Sequence, residues 1–264
     1  MAFKNLLSII VFGLLLCSCV PIKDLVYLQN KTQTNQAVVV KPIVLKPYRL
    51  QTNDVLNISI KAIDPKLVAI FNPIVDGQGA PQSEQGLYFS GFTVDDHGNI
   101  RFPVLGDINV LGFTLDETRL KIEQELLRVY FNKEANVFVT VKLSGLRFTI
   151  NGEVGSPGTK ILFQERVTIL EAIANSGDIN VVGDRKKVAV IRKFSHGTEI
   201  HEIDLTDSRA MESPYYFLQP NDYIYVKPLP QKVWGTGKTG IESLTTLISL
   251  LTLGITTFLL LRNQ

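Results

Sequence analysis

Two apolar runs near the ends of the chain limit its fold most, because neither suits the core of a small domain. Leu6–Leu16 is an apolar run behind Lys4. As a helix it rises only about 16 Å, too short to cross a bilayer, and it reads as a signal-peptide core. Ile241–Leu261 is apolar apart from Glu242 and a series of Ser and Thr. Its length gives about 31 Å of helix, enough to span a hydrocarbon core. The globular part of the chain is thus expected between these runs.

The segment Leu16-Cys17-Ser18-Cys19 resembles the lipobox of bacterial lipoproteins. A small residue precedes Cys19 and a leucine stands three places before it, whereas Cys17 would put Leu16 at the small position. Cys19 is therefore the expected lipidation site and the first residue of the mature chain. Several acyl chains on one residue give stable anchoring where a single chain does not. Val20 follows where some lipoproteins carry an Asp that retains them in the inner membrane.

At about 100° per residue, Glu242, Thr245, Ser249, Thr252 and Thr256 fall on one narrow stripe of the C-terminal span. A ring of such helices would turn the stripe toward a hydrated lumen or toward neighbouring helices. The alternative is a single anchor whose hydroxyls bond back to their own helix. Trp234 and Lys238 precede the span, where interfacial anchors belong. The stretch Gly235-Thr236-Gly237-Lys238-Thr239 imitates the end of a phosphate-binding loop. That motif needs a glycine where Lys232 stands, so the stretch reads as a hinge.

Cys17 and Cys19 are the only cysteines, which excludes a disulfide framework and a thiolate metal site from the globular part. Without Lys4 the chain carries 26 basic against 25 acidic residues, a balance that offers nucleic acid no basic face. The runs Arg185-Lys186-Lys187 and Arg192-Lys193 read as a solvated strand edge.

Val20–Lys46 reads as a polar, proline-containing tether with few structural signals. From Tyr48 the texture changes to a turn at Asn53-Asp54 followed by an alternating strand. The pattern returns from Tyr216, with the turn at Asn221-Asp222. Five of eleven positions are identical (Tyr, Leu, Gln, Asn and Asp). Asparagine tolerates the left-handed conformation that such turns use. Between these units, Asp95–Asn99 reads as a hairpin turn between Phe92–Val94 and Ile100–Phe102. A strand Ile108–Val110, a helix Leu115–Tyr130 and a strand Val137–Leu143 complete a first module. A strand Phe148–Asn151, a turn at Gly155–Gly158, a helix Ile169–Asn175 ended by Gly177, and strands Val188–Arg192 and Ile200–Leu205 form a second. Short strands around one helix, twice over, give an α+β class.

These residues carry a family resemblance. Asp95, Gly98, Ile100, Pro103, Gly106, Ile108, Val110, Gly112 and Thr114 resemble the polysaccharide export domain of the Wza-type outer-membrane lipoproteins. Gly152-Glu153-Val154, Pro157-Gly158, Leu170–Ile173, Gly177, Val188–Arg192 and Asn221-Asp222 resemble the β-grasp-like SLBB module that follows it there. The implied organisation is a signal peptide (1–18), a lipidated tether (19–46), an export domain (47–145), an SLBB domain (146–232), and a hinge with a C-terminal transmembrane amphipathic helix (233–264). The chain departs from longer family members in showing one SLBB module. It also carries an insertion, Asn72–Gly91, in the first module.

The resemblance implies a non-enzymatic conduit for capsular or extracellular polysaccharide in the outer membrane of a Gram-negative bacterium. It implies a homo-oligomeric ring, with an octamer as one ring order, and no cofactor beyond the lipid on Cys19. It also implies a copolymerase in the inner membrane as partner, with a tyrosine-kinase domain in some cases. The rival reading is a periplasm-facing lipoprotein that binds glycan through the SLBB module without forming a pore. Little in the sequence favours an enzyme. His97 and His196 sit in turns, and His201 shares a strand with Glu199, too few ligands for a metal site. Asp95-Asp96 lacks the further oxygens of a calcium loop. Glu153 and Glu171 could be posed as a glycosidase pair, yet no spacing places them at the separation required.

Overall fold

The computed structural model describes residues 20–31, 46–72, 90–131, 136–194, 196–230, 232, 245 and 248–256. Two hydrophobic cores form in succession along the chain.

The first core is built on strand β1, Val55–Lys61, in which Leu56, Ile58 and Ile60 alternate inward while Asn57 and Ser59 are half-exposed. β1 lies between β2, Phe92–Thr93, and β5, Phe138–Leu143, and is antiparallel to both. Strands β3, Asn99–Phe102, and β4, Gly106–Asn109, form a separate two-stranded sheet. The Asp95–Asn99 turn is present, with the Asp95 amide donating to the Asn99 carbonyl at 2.9 Å. Its flanking strands do not form one hairpin, however: β2 pairs with β1 and β3 with β4. Helix α1, Leu115–Val129, turns Ile122 and Leu126 into this core. The phenyl rings of Phe71, Phe92 and Phe102 fill its far end.

The second core lies on a five-stranded sheet in the order β7-β6-β10-β8-β9. Its strands are β6, Leu146–Gly152; β7, Gly158–Leu162; β8, Gly183–Phe194; β9, Gly197–Ile203; and β10, Asp222–Pro228. β10 runs parallel to β6 and antiparallel to β8. Helix α2, Ile169–Asn175, buries Ile169, Ala172 and Ile173 on it. Gly152 closes β6 at φ 96°, and a Cβ there would stand 2.0 Å from the Val226 carbonyl oxygen, so the position requires glycine. Only Ser144 and Gly145 separate β5 from β6.

Three expectations need correction. The cationic runs are not a strand edge, because β8 is an interior strand; Arg185 and Arg192 are buried, and the lysines face solvent. The strand expected at Val188–Arg192 extends over twelve residues, and β7 occupies part of what read as a turn. Finally, residues 20–31 are not a bare tether. They run along the second module, with the Leu28 and Gln29 amides donating to the Leu205 and Thr206 carbonyls at 3.0 and 2.8 Å. Tyr27 and Leu28 pack against its core, and Lys31 pairs with Asp204 at 2.7 Å.

Among the described residues no helix is long and apolar enough to cross a membrane. Residues 248–256 are helical, and most of the remainder of Ile241–Leu261 lies outside the described residues.

Candidate functional site

A polar constellation forms where the two repeated sequence units meet. In the first unit Asn53 adopts φ 69°. Its short polar side chain tolerates this left-handed conformation better than a β-branched one would. The turn brings the Asp54 carboxylate back onto its own backbone, where Oδ2 accepts the Gln51 amide at 2.8 Å and the Tyr48 hydroxyl at 2.7 Å. Asp54 is buried, and its Oδ1 has no hydrogen-bond partner among the described residues. Burial raises the Asp54 pKa, opposed by the bonds from Gln51 and Tyr48. Burial likewise pushes the Tyr48 hydroxyl far above the ordinary phenol range, and the Asp54 charge adds to it.

The second unit repeats the geometry. Asn221 has φ 65°, and Asp222 Oδ2 accepts the Gln219 amide at 2.8 Å. Among the described residues no tyrosine hydroxyl bonds to this carboxylate. Arg192 grips it instead with two parallel bonds, Nε to Oδ1 at 2.9 Å and Nη2 to Oδ2 at 2.7 Å. Nη2 also donates to the Phe217 carbonyl at 3.0 Å, and the guanidinium lies 4.8 Å from the Tyr215 ring centre. Burial pushes the Asp222 carboxyl up, and the guanidinium pulls against it.

Each unit also pins the start of its module's helix. Leu50 exchanges backbone bonds with Gly112 and Phe113, next to Thr114; Tyr216 and Leu218 do the same with Ile169 and Val167 around Thr168. Thr114 and Thr168 each form a reciprocal capping box, with Glu117 and Glu171 respectively. The units face each other across the junction. On the second module's side the Asn221 amide donates to the Arg147 carbonyl of β6 at 2.7 Å, and on the first module's side the Ser144 amide of the connector donates to the Val55 carbonyl at 2.8 Å. Tyr48 lies close enough to Asp222 and Arg192 to feel both charges.

The other singled-out residues are distributed elsewhere. Cys17, Cys19 and Glu242 lie outside the described residues. Thr245, Ser249, Thr252 and Thr256 are exposed on the C-terminal helix. The Ser249 hydroxyl donates to the Thr245 carbonyl and that of Thr256 to the Thr252 carbonyl, both at 2.8 Å. The Thr252 hydroxyl donates to the Ile248 carbonyl at 2.9 Å. Glu171 is occupied in its capping box and Glu153 in an ion pair with Lys232. His196 pairs with Glu199 at 3.2 Å, and His201 stacks on Tyr215. No group of three metal-ligating side chains converges among the described residues.

Sequence reasoning missed Tyr48 and Arg192 as partners of the two aspartates, and it missed both caps. The caps were legible, since Thr-x-x-Glu occurs at Thr114 and Thr168 directly before apolar helical patterns. Arg192 carries a weaker signal: the first charge after the apolar run Val188–Ile191.

Comparison with known families places this geometry. Residues 44–142 match the model of the polysaccharide biosynthesis/export protein family, and residues 146–226 match that of the SLBB domain. Together they take in more than half of the chain and support its resemblance to the Wza-type polysaccharide export proteins. Among curated proteins, the chain is similar to the EPS I polysaccharide export outer membrane protein EpsA of Ralstonia nicotianae, at 32% identity over 58% of this chain. The protein of the same name from Ralstonia solanacearum is also 32% identical, over 55% of this chain. The matched region spans about two fifths of the length of each relative, 41% and 39%.

Proposed function

We propose that this chain is an outer-membrane lipoprotein that assembles into a ring and conducts an extracellular or capsular polysaccharide across the outer membrane. One observation carries the reading: an export domain and an SLBB domain follow each other in one chain, similar to proteins named for polysaccharide export in the outer membrane. In this reading residues 1–18 are removed and Cys19 is acylated. Both modules then stand in the periplasm, and the Ile241–Leu261 span joins its copies in the membrane. The chain acts as a passive conduit and catalyses nothing; a copolymerase of the inner membrane supplies polymer and energy. The Asn53-Asp54 and Asn221-Asp222 turns are structural in this reading, because the asparagines supply left-handed backbone and the aspartates accept from their own backbone and from Tyr48 and Arg192.

The test is the mass of the detergent-extracted full chain. A ring gives a multiple of the single-chain mass; a monomer would sink the conduit. Cys19→Ala should abolish palmitate labelling, whereas Cys17→Ala should not.

A second reading, a glycan-binding lipoprotein with a plain C-terminal anchor, draws support from the hydroxyls that bond back to their own helix. Single cysteines at Thr245, Ser249, Thr252 and Thr256 separate the two. In a ring with a wet lumen they react with a water-soluble thiol reagent while cysteine at Leu251 does not, since reaction needs a hydrated thiolate. An unreactive stripe in assembled protein would favour the anchor.

A further inference from the structure

We infer that one end of the second module, built by the 178–185 loop and the docked segment 20–31, is a membrane-contact face seated on the lipid surface. The inference rests on the outer-membrane reading above, and its grounds are topological. Strands β6 and β10 are parallel and in register from Phe148–Asp222 to Gly152–Val226, so both run from one end of the sheet to the other. At about 3.3 Å per residue they separate the two ends by roughly 20 Å. The first module is attached where β6 starts: only Ser144 and Gly145 separate β5 from β6, and the Ser144 amide donates back to the Val55 carbonyl.

Both membrane-directed parts of the chain gather where the strands finish. On the N-terminal side, the Tyr27 hydroxyl donates to Asp178 and its ring lies 5.2 Å from the Arg185 guanidinium. Burial and the Asp178 bond lift the Tyr27 pKa to about 12, so the phenol remains a donor across the physiological range. Asp24 pairs with Lys186 at 2.7 Å, fixing the short 3-10 turn Ile22–Asp24 to the start of β8. On the C-terminal side, Pro228 lies opposite Gly183, the Leu229 amide donates to the Val182 carbonyl at 2.8 Å, and Lys232 pairs with Glu153. From there the sequence runs on to the apolar span beginning at Ile241.

The two attachments use the same loop yet lie some two hundred residues apart in sequence. Three steps along the chain lead from Cys19 to Ile22, a reach of at most about 11 Å. A lipid on Cys19 therefore cannot hold the chain to a membrane without bringing this end of the module against it. The surface found there suits the boundary between headgroups and acyl chains. Ile22 is 77% exposed, Val26 47% and Val181 50%, with Lys23 exposed beside them in sequence. Apolar tips with cationic flanks are what an interfacial element presents to an anionic lipid surface.

Val181 decides the matter, because it is remote in sequence from both the lipid and the C-terminal span. Cysteine is introduced singly as Ile22→Cys, Val181→Cys and, at the far end of β1 in the first module, Ile63→Cys, which is equally apolar and 79% exposed. Each full-chain variant is coupled to an environment-sensitive dye and reconstituted into vesicles of phosphatidylethanolamine and phosphatidylglycerol. Quenching by nitroxide-labelled lipid should be several-fold stronger at residues 22 and 181 than at residue 63. Weak quenching at residue 181, or equal quenching at 181 and 63, overturns the inference. Palmitate labelling of Cys19 is read on the same samples and reports on the lipoprotein reading separately, so either idea can fail while the other stands.

Discussion

Asp54 and Asp222 close turns of the same geometry, yet one is met by a neutral phenol and the other by a guanidinium. The shared part is local. A left-handed asparagine lets the following carboxylate accept the amide three residues back. The part that differs comes from other places in the chain: Tyr48 from the approach to its own turn, Arg192 from the interior strand β8. The comparison teaches that the repeated unit specifies a backbone shape and leaves a buried acid to be answered by whatever the surrounding sheet supplies. An arginine answers with a permanent positive charge, which pulls against the burial that raises the Asp222 carboxyl. A tyrosine answers with a neutral phenol, so no cation opposes the burial that raises Asp54.

The largest effect should come from breaking the charge pair. Asp222→Ala leaves the Arg192 guanidinium, 5% exposed, without its counter-ion. Leaving such a charge uncompensated costs about 3–5 kcal/mol. Asp54→Ala strands no charge and should cost clearly less. Urea unfolding of the detergent-solubilised protein reads both. Restoring neutrality with Asp222→Asn and Arg192→Met together should recover much of the loss. Equal costs for the two alanine variants would break the comparison, by showing that Tyr48 and Arg192 answer their acids equally.

An intermediate effect tests what the turns share. Asn53→Val and Asn221→Val each force a β-branched residue to φ near 65–69°, at a cost of about 1–3 kcal/mol. Glycine at either position should be tolerated, since it adopts positive φ without strain. The two valine variants should lose abundance to a similar degree. If one accumulates normally and loses only polysaccharide export, that turn contacts polymer, and the two are not equivalent.

Much of the fold could be read because it rests on short-range pattern. The alternation in Val55–Lys61, the helix ended by Gly177 and the Asn-Asp echo all repeat within a few residues. What the sequence hid depends on long-range pairing. Arg192 looked like part of a solvated edge, because nothing near it shows that β9 covers the outer side of β8. The 20–31 segment looked like a tether because its partners, Asp178, Arg185 and Leu205, lie far along the chain. Cys19 and the C-terminal stripe follow from membrane chemistry, which operates between copies and lipids.

The smallest effect at neutral pH, and the most diagnostic, belongs to Asp54→Asn. Asparagine keeps an oxygen to accept the Gln51 amide and the Tyr48 hydroxyl, and its amide nitrogen replaces Oδ1, which has no partner among the described residues. The change should therefore cost less than about 1 kcal/mol at neutral pH, in the range of one ordinary hydrogen bond. The two proteins should diverge with pH. Because burial raises the Asp54 pKa above its usual 3.8, the folded state holds this proton more tightly than the unfolded state does. Its contribution to stability is fully present below the ordinary carboxylate range and is lost as pH rises through the raised folded value. Wild type should thus lose stability relative to Asp54→Asn as pH climbs from acid to neutral, while other carboxyls act alike in both and cancel. Unfolding free energies of the two proteins across that range provide the measurement. A difference that stays flat would mean that Asp54 keeps an ordinary affinity for its proton, and the contrast between an acid that no cation opposes and one gripped by Arg192 would fall.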